Sequence, residues 1–243
     1  MMPFLEGEAL AEWQAIGEPP TITHLTDTYV LIKTGSSLYR FDRTTNEVSV
    51  VPGTFSSDFV FLEDIERDRM VFRTDTGIVI TDIAGELTQN IPIEDFFAVS
   101  FFFYEDNLLC LGSDGSIHRY DLDGNALGTI GLSLFSNFFA QTNNISYQNV
   151  PVSWAVTPDN EIVVNVFRMG NIINTENWER TCDIQQLVFY HEGSDSYIVQ
   201  TNDMIYAYQR CTLDEIISRA KDALGSFALT DEQREYYGLN ETT

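Results

Sequence analysis

The sequence predicts an all-β fold, a β-propeller of about five blades with a short C-terminal helical tail. The first observation behind this is a repeat. Ser37-Leu38-Tyr39-Arg40-Phe41-Asp42, Gly77-Ile78-Val79-Ile80-Thr81-Asp82, Ser116-Ile117-His118-Arg119-Tyr120-Asp121 and Met204-Ile205-Tyr206-Ala207-Tyr208-Gln209 share one pattern. Their aliphatic landmarks, Leu38, Ile78, Ile117 and Ile205, stand 40, 39 and 88 residues apart. The last step is two periods of 44, so a degenerate copy lies between. A period of about 40–45 residues holding several short strands is the mark of a propeller blade. The second observation is composition: 17 Phe, 11 Tyr and 3 Trp among 243 residues, 44% of them hydrophobic. Flat and β-branched side chains suit a pleated surface, and this length buries a substantial core. The third is turn chemistry, with Ala84-Gly85, Asp114-Gly115 and Asp123-Gly124-Asn125 placed where positive φ is inexpensive.

In chain order, Trp13, Ala15 and Gly17 alternate with polar neighbours before Pro19-Pro20 stops the element. Residues 10–17 are therefore read as a strand that fills the missing outer place of the last blade. Blade one follows at 28–34, 38–41 and 47–51, and blade two at 59–62, 69–74, 77–82 and 86–91. Blade three spans 99–103, 107–112, 116–121 and 126–130. Residues 132–150 break the rhythm and read as an insertion. Blade four begins at 152–156 and 161–167, and its second half, 168–181, reads as an irregular Asn-rich loop. Blade five is 186–191, 196–201 and 204–209. Residues 1–211 thus form the propeller.

From residue 212 the period changes. Thr212-Leu213-Asp214-Glu215 is a capping box, and Ile216, Ile217, Ala220, Ala223 and Leu224 make one apolar helical stripe ending at Gly225. A second box at Thr230-Asp231-Glu232-Gln233 opens a short helix that stops at Gly238. Residues 212–243 are read as a helical tail packed on the propeller.

Charge and cysteines exclude several classes. Lys plus Arg number 13 against 37 Asp plus Glu, a net charge of −24, which repels phosphates and argues against direct nucleic-acid binding. Two readings of that acidity stand side by side: a well-solvated surface, as in a salt-adapted host, or a surface that docks a basic partner. Cys110, Cys182 and Cys211 are odd in number and lack Cys-x-x-Cys spacing, as expected of free thiols in a reducing compartment. No basic n-region opens the sequence and no run of 18 uncharged apolar residues occurs, so a cytoplasmic protein without membrane contact is expected.

No catalytic or metal-binding motif is present, so no catalytic residue, metal or cofactor is expected. Asp121-Leu122-Asp123-Gly124-Asn125 begins like a calcium loop, but the sixth position is Ala126 and the twelfth Ser133, so it reads as a hairpin turn. His24, His118 and His191 have no partner at ligand spacing. Glu63-Asp64-Ile65-Glu66 and Glu94-Asp95 read as solvated turns rather than acid–base pairs. The candidate protein-binding group is Arg168, Asn171, Trp178 and Arg180, because Arg and Trp dominate interface hot spots and share the segment that departs from the repeat. The alternative is that Trp178 plugs the fourth blade while the arginines offset local acidity.

The tail carries a resemblance. Thr212-Leu213-Asp214-Glu215-Ile216-Ile217, Ala220, Leu229-Thr230-Asp231-Glu232-Gln233-Arg234 and Tyr237-Gly238-Leu239 after a last propeller strand resemble the C-terminal end of bacterial WD-repeat proteins. Phe41-Asp42, Thr81-Asp82 and Tyr120-Asp121 stand where that family carries Trp-Asp. No blade here has the family's Gly-His pair or the Trp itself. The resemblance covers residues 204–239 and implies a non-catalytic sensor or scaffold subunit of an effector or defence-type assembly. Its partner would be another protein, such as an effector NTPase, protease or nuclease. The competing reading is an acidic inhibitor or immunity-type protein that binds a basic enzyme or nucleic-acid-binding partner.

Overall fold

The structure, a computed structural model, describes residues 20–55, 60–86, 88–132, 150–211 and 213–224. Among these residues nineteen strands form five antiparallel sheets, each a meander in which neighbours in sequence are neighbours in space. Sheet one holds β1 (Thr21–Leu25), β2 (Tyr29–Thr34), β3 (Ser37–Asp42) and β4 (Val48–Val51). Sheet two holds β5 (Phe61–Asp64), β6 (Arg69–Thr74), β7 (Gly77–Thr81) and β8 (Thr88–Pro92). Sheet three is β9 (Ala98–Tyr104), β10 (Asn107–Gly112), β11 (Ser116–Asp121) and β12 (Ala126–Gly131). Sheet four is β13 (Val152–Val156), β14 (Glu161–Val166), β15 (Met169–Asn174) and β16 (Glu179–Gln185). Sheet five has three described strands, β17 (Leu187–His191), β18 (Ser196–Thr201) and β19 (Met204–Gln209), before helix α1 (Leu213–Leu224).

Strand alternation explains how the sheets stack in chain order. In β10, Leu108 and Cys110 join a core with Val71, Ile78 and Ile80 of sheet two, while Leu109 and Leu111 join Ile162, Val164 and Val166 of sheet four. Side chains two apart share a face, so a strand buried on both sides reads as an unbroken apolar run, here Leu108-Leu109-Cys110-Leu111. The same logic sends Met70 and Phe72 of β6 toward Tyr29, Leu31 and Leu38 of sheet one. Val163 of β14 meets Leu187, Tyr190 and Val199 of sheet five. Four apolar layers thus join five sheets in series.

Two expectations need correction. Blade one begins earlier than expected, because β1 pairs with β2 across a register shift between Ile22 and His24. Residues 168–181 are not an irregular loop. They contain β15, which pairs in register with β14, the turn after it, and the start of β16, which pairs with β15 across a register shift between Ile172 and Ile173. The turn between β14 and β15 is Phe167-Arg168, with φ of 51° and 67°. Two consecutive positive φ values make the tight hairpin that matches strand twist, yet neither residue carries the Gly or Asn signal by which such a turn is recognised.

Residues 10–17, the second tail helix and the interior of the expected 132–150 insertion lie outside the described residues. The described side chains of α1, from Glu215 to Asp222, are exposed.

Candidate interaction surface

The four residues singled out by sequence do not converge. Arg168 is exposed in the β14–β15 turn, where its carbonyl accepts a hydrogen bond from the Leu187 N–H at 3.0 Å. Asn171 lies in the middle of β15, fully buried, its Nδ2 donating to the Met169 carbonyl at 3.5 Å. Trp178 sits at the other end of β15, in the turn to β16, with φ of 58°. Six residues of extended chain, roughly 20 Å, separate the two turns. Arg180 is paired with Asp183 on β16.

Trp178 packs inward against the layer between sheets three and four. The Arg119 guanidinium lies 3.6 Å from its ring centroid, and the Tyr104 ring meets it edge-on at 6.0 Å. Arg119 Nη2 also donates to Asn107 Oδ1 at 3.4 Å. Burial lowers the Arg119 pKa from its ordinary value, and the π-face of Trp178 supplies part of what water would have given the cation.

Other polar contacts stitch sheets together at their inner strands. His24 Nε2 of β1 meets Glu63 Oε2 of β5 at 3.1 Å, and Trp154 Nε1 of β13 donates to Ser100 Oγ of β9 at 3.0 Å. Arg210, after β19, is held by Asp159 and Glu161 at 2.8 and 2.9 Å and by Asp195 at 3.3 Å. Cys110 is buried and its thiol is pushed far up by desolvation, so it stays protonated at neutral pH. Among the described residues, no group of three or more His, Cys, Asp or Glu is arranged to hold a metal ion. No described helix is long and apolar enough to cross a membrane.

Among the described residues, most of the exposed large apolar side chains lie on sheets one and five, the two ends of the series. On the side of sheet one away from sheet two, the register lines up Ile22, Ile32, Tyr39 and Val50 in one row and Leu25, Val30, Phe41 and Val48 in another. Ile32, Val30 and Phe41 are buried in the middle of the sheet, while Leu25 and Val50 are 62% and 61% exposed. At the other end Phe189, Met204, Ile205 and Tyr208 of sheet five are exposed, Ile205 by 71%. Among the described residues β19 pairs only with β18, and Met204-Ile205-Tyr206-Ala207-Tyr208-Gln209 carries no charge. Sequence reasoning took this strand as a repeat landmark and gave the outer place beside it to residues 10–17, which lie outside the described residues. Its lack of Lys, Pro or a bulge, the usual guards of an edge, was the available signal.

The chain is similar to the computationally designed propeller Ika8, with a TM-score of 0.52, 12% identity, and coverage of 79% of this chain and 58% of Ika8. The fold is propeller-like. A second similar structure is the β-propeller BamB from Moraxella catarrhalis, with a TM-score of 0.46, 17% identity, and coverage of 75% of this chain and 58% of BamB. The chain therefore spans less than two thirds of either structure. No protein-family model and no curated protein matches the sequence.

Proposed function

We propose that this chain is a non-catalytic protein-interaction module, a sensor or scaffold subunit of a bacterial effector or defence-type assembly. In this reading it is a propeller-like stack of five blades whose two terminal sheets receive another protein. One observation carries the reading. Of the thirteen large hydrophobic side chains exposed among the described residues, eight lie on sheets one and five. Scattered apolar side chains on a surface need no explanation, but contiguous rows of them mark contact sites. Among the described residues, each of the three inner sheets shares an apolar layer with a sheet on either side, whereas sheets one and five each share such a layer with one other described sheet.

The tail's resemblance to bacterial WD-repeat proteins supplies the assembly type, and with it a partner such as an effector NTPase, protease or nuclease. The net charge of −24 favours a protein partner over nucleic acid and supports the second reading, an acidic inhibitor or immunity-type protein that blocks a basic enzyme. The two readings separate by salt. Apolar packing survives high ionic strength, while exposed ion pairs are screened over about 10 Å at 0.1 M. Affinity capture from an extract of the source organism, washed at low and high salt, tests them. A partner retained at high salt supports the scaffold, and a basic partner released by salt supports the inhibitor. An empty capture at both salts overturns both.

A further inference from the structure

The loops joining sheets two and three enclose a cleft of about 250 Å³. Its walls are the β6–β7 turn at Asp75-Thr76, the connection 93–97 between β8 and β9, and Ser113 in the β10–β11 turn. The backbone fixes this frame at both ends of the connection. The Ile93 N–H donates to the Thr76 carbonyl at 3.0 Å. Phe97 and Ser113 clasp each other: the Phe97 N–H donates to Ser113 Oγ at 2.9 Å, and the Ser113 N–H donates to the Phe97 carbonyl at 2.8 Å. Buried Arg73 adds a third tie, its Nη1 donating to the Ala98 carbonyl at 3.0 Å. A rim held this way needs little ordering when something binds.

The charges and aromatic surface of the cleft point to one kind of occupant. Among the described lining residues Arg73 is the one cation, against Asp75, Glu94 and Asp95. These three carboxylates are exposed, and among the described residues none of them has an ion-pair partner. Elsewhere four arginines are taken up by acids, Arg40 by Asp42, Arg67 by Asp64, Arg180 by Asp183 and Arg210 by three carboxylates. Beside the unpaired acids stands the Phe97 ring, 58% exposed while its backbone is clasped. The volume falls below the roughly 300–1,000 Å³ usual for small-molecule sites and suits a single long side chain.

We infer that this cleft receives an arginine side chain of a protein partner. The planar guanidinium would donate to the Glu94 and Asp95 carboxylates while its face lies on Phe97, a combination that an ammonium group makes less well. The inference rests on the protein-interaction reading and names what part of a partner this surface selects. Arg73 does not favour an acidic occupant instead, because it already binds Ala98 and is outnumbered by three carboxylates.

The test uses the full chain and a labelled probe peptide, acetyl-Gly-Arg-Gly-Arg-Gly-amide, read by fluorescence anisotropy at low salt. Glu94→Gln with Asp95→Asn, and separately Phe97→Ala, should each weaken binding at least about five-fold. A charge-matched control, Glu105→Gln with Asp106→Asn in the β9–β10 turn, should change it less than about two-fold. Replacing both arginines by neutral citrulline should abolish binding. The far-ultraviolet circular dichroism and melting temperature of each variant confirm that it is folded. An equal loss in the control pair, or no effect of Phe97→Ala, would show general attraction to an acidic surface and overturn the inference. Capture from the extract separates this failure from that of the module. A partner held equally by wild type and by the Glu94/Asp95 variant removes the cleft and keeps the module, and a partner lost with that variant supports both.

Discussion

Asp42, Asp82 and Asp121 occupy equivalent places in three successive sheets and do the same local work. Asp42 Oδ1 accepts from the Thr44 N–H at 2.8 Å, the Thr44 hydroxyl at 2.6 Å and the Thr45 N–H at 3.1 Å. Asp82 Oδ1 accepts from the Glu86 N–H at 2.7 Å. Asp121 takes the N–H groups of Asp123 and Asn125 at 3.0 and 2.7 Å and the Asn125 side chain at 2.8 Å. The repeat's aspartate is therefore a turn cap, and the calcium-like run after Asp121 is the turn it closes. Hydrogen bonds, those from Thr44 and Asn125 foremost, hold the Asp42 and Asp121 carboxyls below the usual carboxylate range. A depressed folded value stabilises the fold above the unfolded value near about 4 and is lost as pH falls through the acid range. Asp42→Asn with Asp121→Asn should therefore flatten the loss of stability below pH of about 4, as measured by urea unfolding across pH. Trp178 was legible as a residue of consequence, and the alternative that it plugs the fourth blade is close to its place in the layer between sheets three and four; its contact with Arg119 was not legible. Its ring fills the layer between sheets three and four under Arg119, a placement that depends on a chain reversal the local sequence does not signal. Trp178→Ala should cost about 2–3 kcal/mol in urea unfolding, near the low end for buried aromatics because the ring is only partly covered.

At the scale of the element, period-two alternation and Gly or Asn turns made most strands readable, and β10, β11, β18 and β19 fall where the pattern puts them. The second half of sheet four was unreadable for a physical reason. Its reversals place Phe167, Arg168, Trp178 and Gln186 at positive φ, where bulky residues are rare and each costs on the order of 1 kcal/mol. Packing of the flanking strands, with Ile162, Val164, Val166 and Ile173 buried together, overrides that local cost. Gly77, the first residue of β7, is the opposite case, a glycine whose missing side chain the structure needs. At φ of 155°, a Cβ there would lie 2.1 Å from the Ile91 carbonyl oxygen and 3.0 Å from the Ile93 nitrogen. Gly77→Ala should therefore destabilise the chain by at least about 2 kcal/mol in urea unfolding, since both contacts are backbone. The same variant should disturb the 93–97 connection that begins at Ile93.

For the whole molecule, the repeat period conveyed the serial order of the sheets, because each period is one meander and successive meanders share an apolar layer. The cleft between sheets two and three was not legible. Glu94-Asp95 reads locally as a solvated turn, and only the packing of two sheets brings it beside Asp75 and the exposed Phe97 ring. The end faces were hidden for a similar reason: Ile22, Leu25, Val48 and Val50 look like ordinary core residues until the register shows them together on the face of sheet one opposite its layer with sheet two. Another protein should bind on these terminal sheets. Amide hydrogen exchange on the full chain, alone and with its captured partner, tests this most directly. The partner should slow exchange in Val48–Val51 and Met204–Gln209, the outer described strands of sheets one and five, with little change in β6, β10 and β14. Unchanged exchange in both outer strands when the partner is bound would contradict it.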